Sequence, residues 1–177
     1  MTTIWVISDN HFGHANILNF KRHDGQPMRV FDDVHHMNEH MIKCWNEVVK
    51  AQDHVYNLGD VCVKREGGLD ILARLNGHKR LVRGNHDIFK TKQYMQYFNE
   101  IYGVRILDNL IFSHIPLHPD SINQRWLACV HGHIHNNEAN TSYTPRLGPR
   151  YFNASVEVLA YTPISLEEIK AQIKKWT

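Results

Sequence analysis

The sequence predicts an α/β fold in one domain spanning residues 1–177. Two observations carry that expectation. Short apolar runs of strand length alternate with segments of helical period through the first half, and most of these runs end in Gly, Asp, Asn, Ser or His. No repeat, low-complexity tract or Pro/Gly/Ser-rich linker divides the chain, and 42% hydrophobic residues suffice for a single core.

Ile4-Trp5-Val6-Ile7 is the first strand. Val34, Met37, Met41, Trp45 and Val48 recur at helical spacing behind Asp32-Asp33, a good N-cap pair. A second strand is expected over 55–58. Leu69, Leu72, Ala73 and Leu75 follow as a helix stopped at Gly77. A third strand covers 80–83, and 104–107, 110–112 and 127–130 make the second half richer in strands. Residues 136–150 are polar, contain Pro145, Gly148 and Pro149, and lack periodicity, so they read as a long loop. Near the C-terminus Ser165 and Glu168 form a capping box that starts a helix running to about Trp176.

Composition excludes several classes. No apolar run approaches the ~20 residues that span a bilayer, so no membrane is expected. The segment before Ile4 lacks the basic and apolar regions of a signal peptide. Cys44, Cys62 and Cys129 are far apart and form no C-x-x-C pair, which fits reduced thiols in a cytoplasmic protein. Twenty Lys and Arg against 18 Asp and Glu leave a formal charge of +2, too balanced to announce a polyanion partner. Histidine, with 14 copies, is in excess.

The chemistry lies at the strand ends. Ile4–Ile7 runs into Ser8-Asp9-Asn10-His11, and residues 55–58 run into Gly59-Asp60. Leu81-Val82 is followed by Gly84-Asn85-His86-Asp87. Residues 110–112 lead to Ser113-His114, and 127–130 to His131-Gly132-His133-Ile134-His135. Five strands each deliver Asp, His or Asn at the carboxyl edge, where open α/β sheets bind ligands. Imidazole and carboxylate together suit divalent Mn, Fe, Zn or Ni, and one carboxylate can bridge two ions. The pairs Asp9/His11 and His133/His135, spaced i, i+2, would point the same way from extended segments.

This series, in this order, resembles the calcineurin-like metallophosphoesterase family. The opening Ser8 to His14 and the closing Phe152-Asn153-Ala154-Ser155-Val156 are similar to its small single-domain bacterial and phage members. The resemblance implies a four-layer α/β/β/α sandwich. It also implies two divalent cations, with manganese the leading choice and Fe, Ni or Zn alternatives. One ion would be held by Asp9, His11, Asp60 and His135, the other by Asp60, Asn85, His114 and His133, with Asp60 as bridge. His86 would serve the leaving oxygen or a phosphoryl oxygen, and Asp87 would orient the His86 ring. The implied activity is hydrolysis of phosphodiesters or small phosphorylated compounds through in-line attack by hydroxide. A phosphomonoesterase on nucleotides or phosphoproteins is the alternative within enzymes, and a non-catalytic metal-binding scaffold is the alternative outside them. The implied partner is a phosphate-ester substrate, with nucleotides and nucleic acid among the candidates. The longer motif G-D-x-x-D is absent, because Gly59-Asp60 is followed by Val61-Cys62-Val63, which tells against the protein serine/threonine phosphatase branch.

Outside that series, His14 is balanced between a substrate or supporting contact and an ordinary surface residue. His131 should point away from His133 by strand alternation and be structural. His118, in Leu117-His118-Pro119, lies just past a ligand block. Arg22, Arg29, Arg125, Arg146 and Arg150 fall in expected loops, where arginines are usually surface residues but are suited to a second phosphate or a nucleic-acid backbone.

Overall fold

Strand alternation is what builds the layers. In β1 (Ile4–Ile7), Trp5 and Ile7 face one core while Ile4 and Val6 face another. The same division runs through β2 (His54–Asn57) and β3 (His78–Val82): Val55 and Leu81 join the first core, Tyr56 and Val82 the second. A strand buried on both faces must be apolar at consecutive positions, which explains why these runs do not alternate with polar residues. The computed structural model describes residues 2–63, 68–122, 125–137 and 150–175.

Two sheets result. In the first, β4 (Glu100–Tyr102), β3, β2 and β1 are parallel neighbours, and β9 (Ile164–Ser165) closes the edge antiparallel to β1. In the second, β5 (Val104–Leu107) pairs antiparallel with β6 (Leu110–Ser113), followed in parallel by β7 (Ala128–His131) and β8 (Tyr151–Asn153). Leu110, Phe112, Ala128, Val130 and Phe152 meet the first sheet's Val6, Tyr56 and Val82 in the inter-sheet core. The alternate residues Ile111, Cys129 and Tyr151 face outward against Leu117, Ile122 and Trp126, around the short helix α3 (Pro119–Ile122).

Helix α1 (Val34–Val48) covers the other face of the first sheet, burying Met37, Met41 and Trp45 beside Ile7, Val55 and Leu81. Its start is the expected one: the Asp33 carboxylate accepts the His36 amide at 2.7 Å. The short helix α2 (Thr91–Tyr94) joins that layer through Tyr94. The order helix, sheet, sheet, helix is the four-layer α/β/β/α sandwich expected.

Several elements differ from expectation. Residues Leu69–Arg74 form a 3-10 helix rather than an α-helix, and Gly77, at φ +87°, ends that segment. The C-terminal helix α4 (Leu166–Ile173) has the expected Ser165–Glu168 capping box but stops short of Trp176, which lies outside the described residues. Leu166, Ile169 and Ile173 pack into the inter-sheet core, which accounts for where the helix docks. Strands β4, β8 and β9 and helices α2 and α3 are additions to the sequence-based reading. Most of the expected loop over 136–150, with Pro145, Arg146, Gly148 and Pro149, lies outside the described residues. Among the described residues no helix is long and apolar enough to cross a membrane.

Candidate metal centre

The five strand-end blocks converge at the carboxyl edges of β1, β2, β3, β6 and β7. Beyond the strands, the first two loops continue side by side: Asp9 N donates to Gly59 O at 3.0 Å and His11 N to Asp60 O at 2.9 Å. The sequence argument expected extended backbone at Asp9/His11 and His133/His135, and this is corrected. Asp9, His11, Asp60, His133 and His135 have φ of 60°, 51°, 53°, 73° and 52°. Left-handed backbone at a non-glycine residue is uncommon and costs about 1–3 kcal/mol. Five instances in one site identify a place where the surrounding structure imposes an unfavourable conformation to aim side chains.

Asp9, His11 and His135 bring ligand atoms within 4.8 Å of one another, as do Asp60, His114 and His133. Asp60 faces both groups: its Oδ2 lies 3.6 Å from His11 Nε2 and 3.4 Å from His114 Nε2. Its Oδ1 accepts the His86 amide at 2.7 Å. Burial opposes ionisation of Asp60, but the His114 ring and the His86 amide outweigh it and lower its pKa to about 2. The Asp9 carboxylate is fixed by the His133 amide, at 3.0 and 3.1 Å, and by Ser155 Oγ at 3.0 Å.

The donor set fits cations. His114 Nδ1 lies 2.8 Å from the Leu58 carbonyl, which can only accept, so Nδ1 carries the proton. In the neutral ring the Nε2 lone pair then faces Asn85 Oδ1 at 2.9 Å, His133 Nδ1 at 3.2 Å and Asp60 Oδ2. Both His11 ring nitrogens are buried with no hydrogen-bond partner among the described residues. Converging lone pairs and an orphaned buried imidazole are resolved by divalent ions, and two Asp/His groups are so arranged. Burial holds the pKa of His11 well below the ordinary value, and burial with the neighbouring His114 lowers that of His133. Both are thereby kept in the ligating form. Burial also opposes charge on His114 and His135, but the Asp60 and Glu157 carboxylates respectively outweigh it and raise their pKa.

His86 and His14 lie at the rim, with ring centroids 5.6 and 5.4 Å from that of His11. The His86 side chain is exposed, whereas His14 Nδ1 is buried without a partner among the described residues and its ring meets Phe20 edge-on. Asp87 requires a correction. Its buried carboxylate accepts from Gly84 N at 2.7 Å, Asp60 N at 3.1 Å, Val61 N at 3.0 Å and Tyr94 Oη at 3.3 Å. Both oxygens therefore hold the Asp60 and Gly84 turns together, and no bond to the His86 ring is present. Arg29 also departs from a loop arginine free for phosphate: it is 2% exposed and fully engaged. Arg22 pairs with Asp24, Arg150 donates to the Trp126 and Leu127 carbonyls, and Arg125 stacks on Trp126. Arg146 lies outside the described residues. His131 is buried as expected, with Nδ1 on the Gly132 carbonyl. His118 sits exposed beside Asp120.

A sixth strand end also reaches the centre. From the last residue of β8 onward, Asn153, Ser155 and Glu157 alternate toward the centre: Asn153 Nδ2 donates to His135 O, Ser155 Oγ to Asp9, and Glu157 Oε1 receives His135 Nδ1 at 2.9 Å. The polar i, i+2, i+4 pattern after Tyr151-Phe152 was the available signal.

No family model matches the sequence. An uncharacterized protein of Methanocaldococcus jannaschii is 36% identical over 184 residues, covering 99% of this chain and 93% of that protein. The gene 66 protein of Mycobacterium phage D29 is 26% identical over 208 residues, covering 98% and 96%. A crystal structure of a protein of unknown function from Aquifex aeolicus superposes with a TM-score of 0.73 at 29% identity, covering 97% of this chain and 99% of that one.

Proposed function

The chain belongs to the same family as the uncharacterized Methanocaldococcus jannaschii protein, and we propose that it is a calcineurin-like phosphoesterase working through a dinuclear metal centre. The observation that carries this reading is the position of Asp60 Oδ2 between His11 Nε2 and His114 Nε2, at 3.6 and 3.4 Å. One carboxylate oxygen shared by two histidine-rich groups is the arrangement a bridged pair of ions requires. Asp9, His11, Asp60 and His135 would hold one ion, and Asp60, Asn85, His114 and His133 the other. Manganese is the proposed metal. When bound, two divalent cations supply positive charge and Lewis acidity toward a phosphoryl group, the term that dominates such reactions.

The chain's own residues do the rest. The His86 amide, donating to Asp60 Oδ1 at 2.7 Å, favours the ionised carboxylate. The His86 ring, exposed at the rim, is free to turn toward a bound ester and donate a proton to the departing oxygen. With Asn85 and His86 both exposed, the site is open, which suits phosphodiesters and small phosphorylated compounds.

The test uses chromogenic phosphodiester and phosphomonoester substrates with Mn²⁺, Ni²⁺, Zn²⁺ or a chelator. Metal-dependent turnover is expected, stronger on the diester. His86→Ala should lower kcat by about 100-fold or more, the scale of general acid catalysis, with bound metal unchanged. Absence of turnover on both esters with every metal overturns the enzyme reading. Loss of metal in His86→Ala overturns the role given to that ring.

A further inference from the structure

The two halves of the centre are supported differently, and that difference has a consequence. Behind His114 the acceptor is neutral, the Leu58 carbonyl at 2.8 Å from Nδ1. Behind His135 it is a carboxylate, Glu157 Oε1 at 2.9 Å from Nδ1. The Glu157 side chain is 1% exposed and its ion partner Arg29 0%, so neither can leave for solvent. Arg29 Nε holds the same Oε1 at 2.7 Å, while its terminal nitrogens donate to the Asp9 and Asn10 carbonyls. One guanidinium thus ties the carboxylate behind His135 to the backbone that carries Asp9, and both residues belong to one ligand group.

We infer that Glu157, locked in place by Arg29, is a positioning residue that makes the Asp9–His11–His135 side the tighter of the two cation sites. The inference rests on reading the two groups as a dinuclear centre. A carboxylate accepting the Nδ1 proton leaves the lone pair on Nε2, fixes the ring plane and makes the imidazole a better donor than a carbonyl does. Loss of such a partner typically weakens metal affinity about 10–100-fold. His114, backed by a carbonyl, has no equivalent.

The experiment is calorimetric titration of the chelator-stripped full chain with Mn²⁺. Two separable binding steps are expected in the parent. Glu157→Gln keeps the shape and an acceptor but removes the charge, and should weaken the tighter step about tenfold or more while moving the other less than about twofold. Arg29→Met/Glu157→Gln, which leaves no buried unpaired cation, should fold normally and keep the tighter step weak. It carries the test should the single variant not fold. Site identity follows from two backgrounds. In His133→Ala the surviving step should be weakened by Glu157→Gln; in His135→Ala it should be unaffected. Equal weakening of both steps, recovery of the tighter step in the double variant, or the reverse pattern in the two backgrounds overturns the inference. Two Mn²⁺ bound as described without ester hydrolysis removes the enzymatic reading and leaves this one standing, whereas no Mn²⁺ bound removes both.

Discussion

Asp87 organises the turn beneath the site, and removing its acceptors strips partners from three buried donors and a half-buried one. Its two oxygens take the amides of Gly84, Asp60 and Val61 and the Tyr94 hydroxyl. A buried donor left unsatisfied costs about 1–3 kcal/mol, so Asp87→Ala should lower stability in urea unfolding by roughly 3 kcal/mol or more, and Tyr94→Phe by about 1. Unchanged stability with reduced turnover would instead make Asp87 a partner of His86. His131 supports a second prediction. Burial lowers its pKa to about 4. Between the ordinary value near 6.5 and 4, the unfolded chain binds this proton and the folded protein does not. Stability from this residue is therefore full above about 6.5 and falls as pH drops to 4, by roughly 3 kcal/mol. Burial of His11 acts in the same sense. His114 and His135, raised by their carboxylates, act in the opposite sense in the metal-free protein: their contribution is lost as pH rises. The His131 share is read directly from its ring proton shift by NMR, expected flat from pH 7 to 5. A midpoint near 6.5 would refute it.

Elements built from local signals were legible, and those that need a distant partner were not. Helix α1 begins and buries its stripe as expected because the Asp33 cap and the apolar spacing of Met37, Met41 and Trp45 lie within its own segment. Strand β9 has two residues and exists only because Trp5 and Val6 lie beside it. Strand β8 likewise depends on β7, so the polar alternation at Asn153, Ser155 and Glu157 had no strand to extend. The candidate ligands are legible as residue types at strand ends, whereas the left-handed backbone of five of them leaves no trace in an Asp or a His. Glycine use is the exception that has a physical signature. A Cβ on Gly132 would collide with Ser8 Oγ and Asp9 Oδ2, so the H-G-H spacing is needed for the second sheet's loop to pass over Asp9. Gly132→Ala should displace Asp9 and abolish at least one Mn²⁺ equivalent, measured by metal analysis after gel filtration. Ser165→Ala makes the matched control: loss of the α4 cap should cost about 1 kcal/mol and leave bound metal unchanged. Full metal content in Gly132→Ala would show that the loop yields without moving Asp9.

At the scale of the whole molecule, the centre lies across the seam between the two sheets. Asp9, His11, Asp60 and Asn85 follow strands of the first sheet, and His114, His133 and His135 follow strands of the second. Beneath them the sheets meet through apolar contact, with Val6, Leu58 and Val82 against Phe112, Val130 and Ala154, and through the Arg105 guanidinium of the second sheet over the Tyr102 ring of the first. Under the proposed ligand assignment neither sheet alone offers a complete set, so an ion would bind only when both are docked, and the unfolded chain would not compete for it. Cation binding must then stabilise the fold by mass action, about 2.7 kcal/mol for each site at a free concentration 100-fold above Kd. For a domain of this length 1 kcal/mol moves Tm by about 2–4 °C. Saturating Mn²⁺ should accordingly raise Tm by roughly 10 °C or more over the chelated protein, and the rise should continue with the logarithm of free Mn²⁺. Variants separate a seam-spanning centre from scattered surface binding. Asp60→Asn, altered where both groups meet, should remove most of the rise, and His133→Ala or His135→Ala about half. A Tm independent of Mn²⁺, or an Asp60→Asn protein that keeps the full rise, would mean the sheets are held without help from the centre and that Asp60 is no bridge.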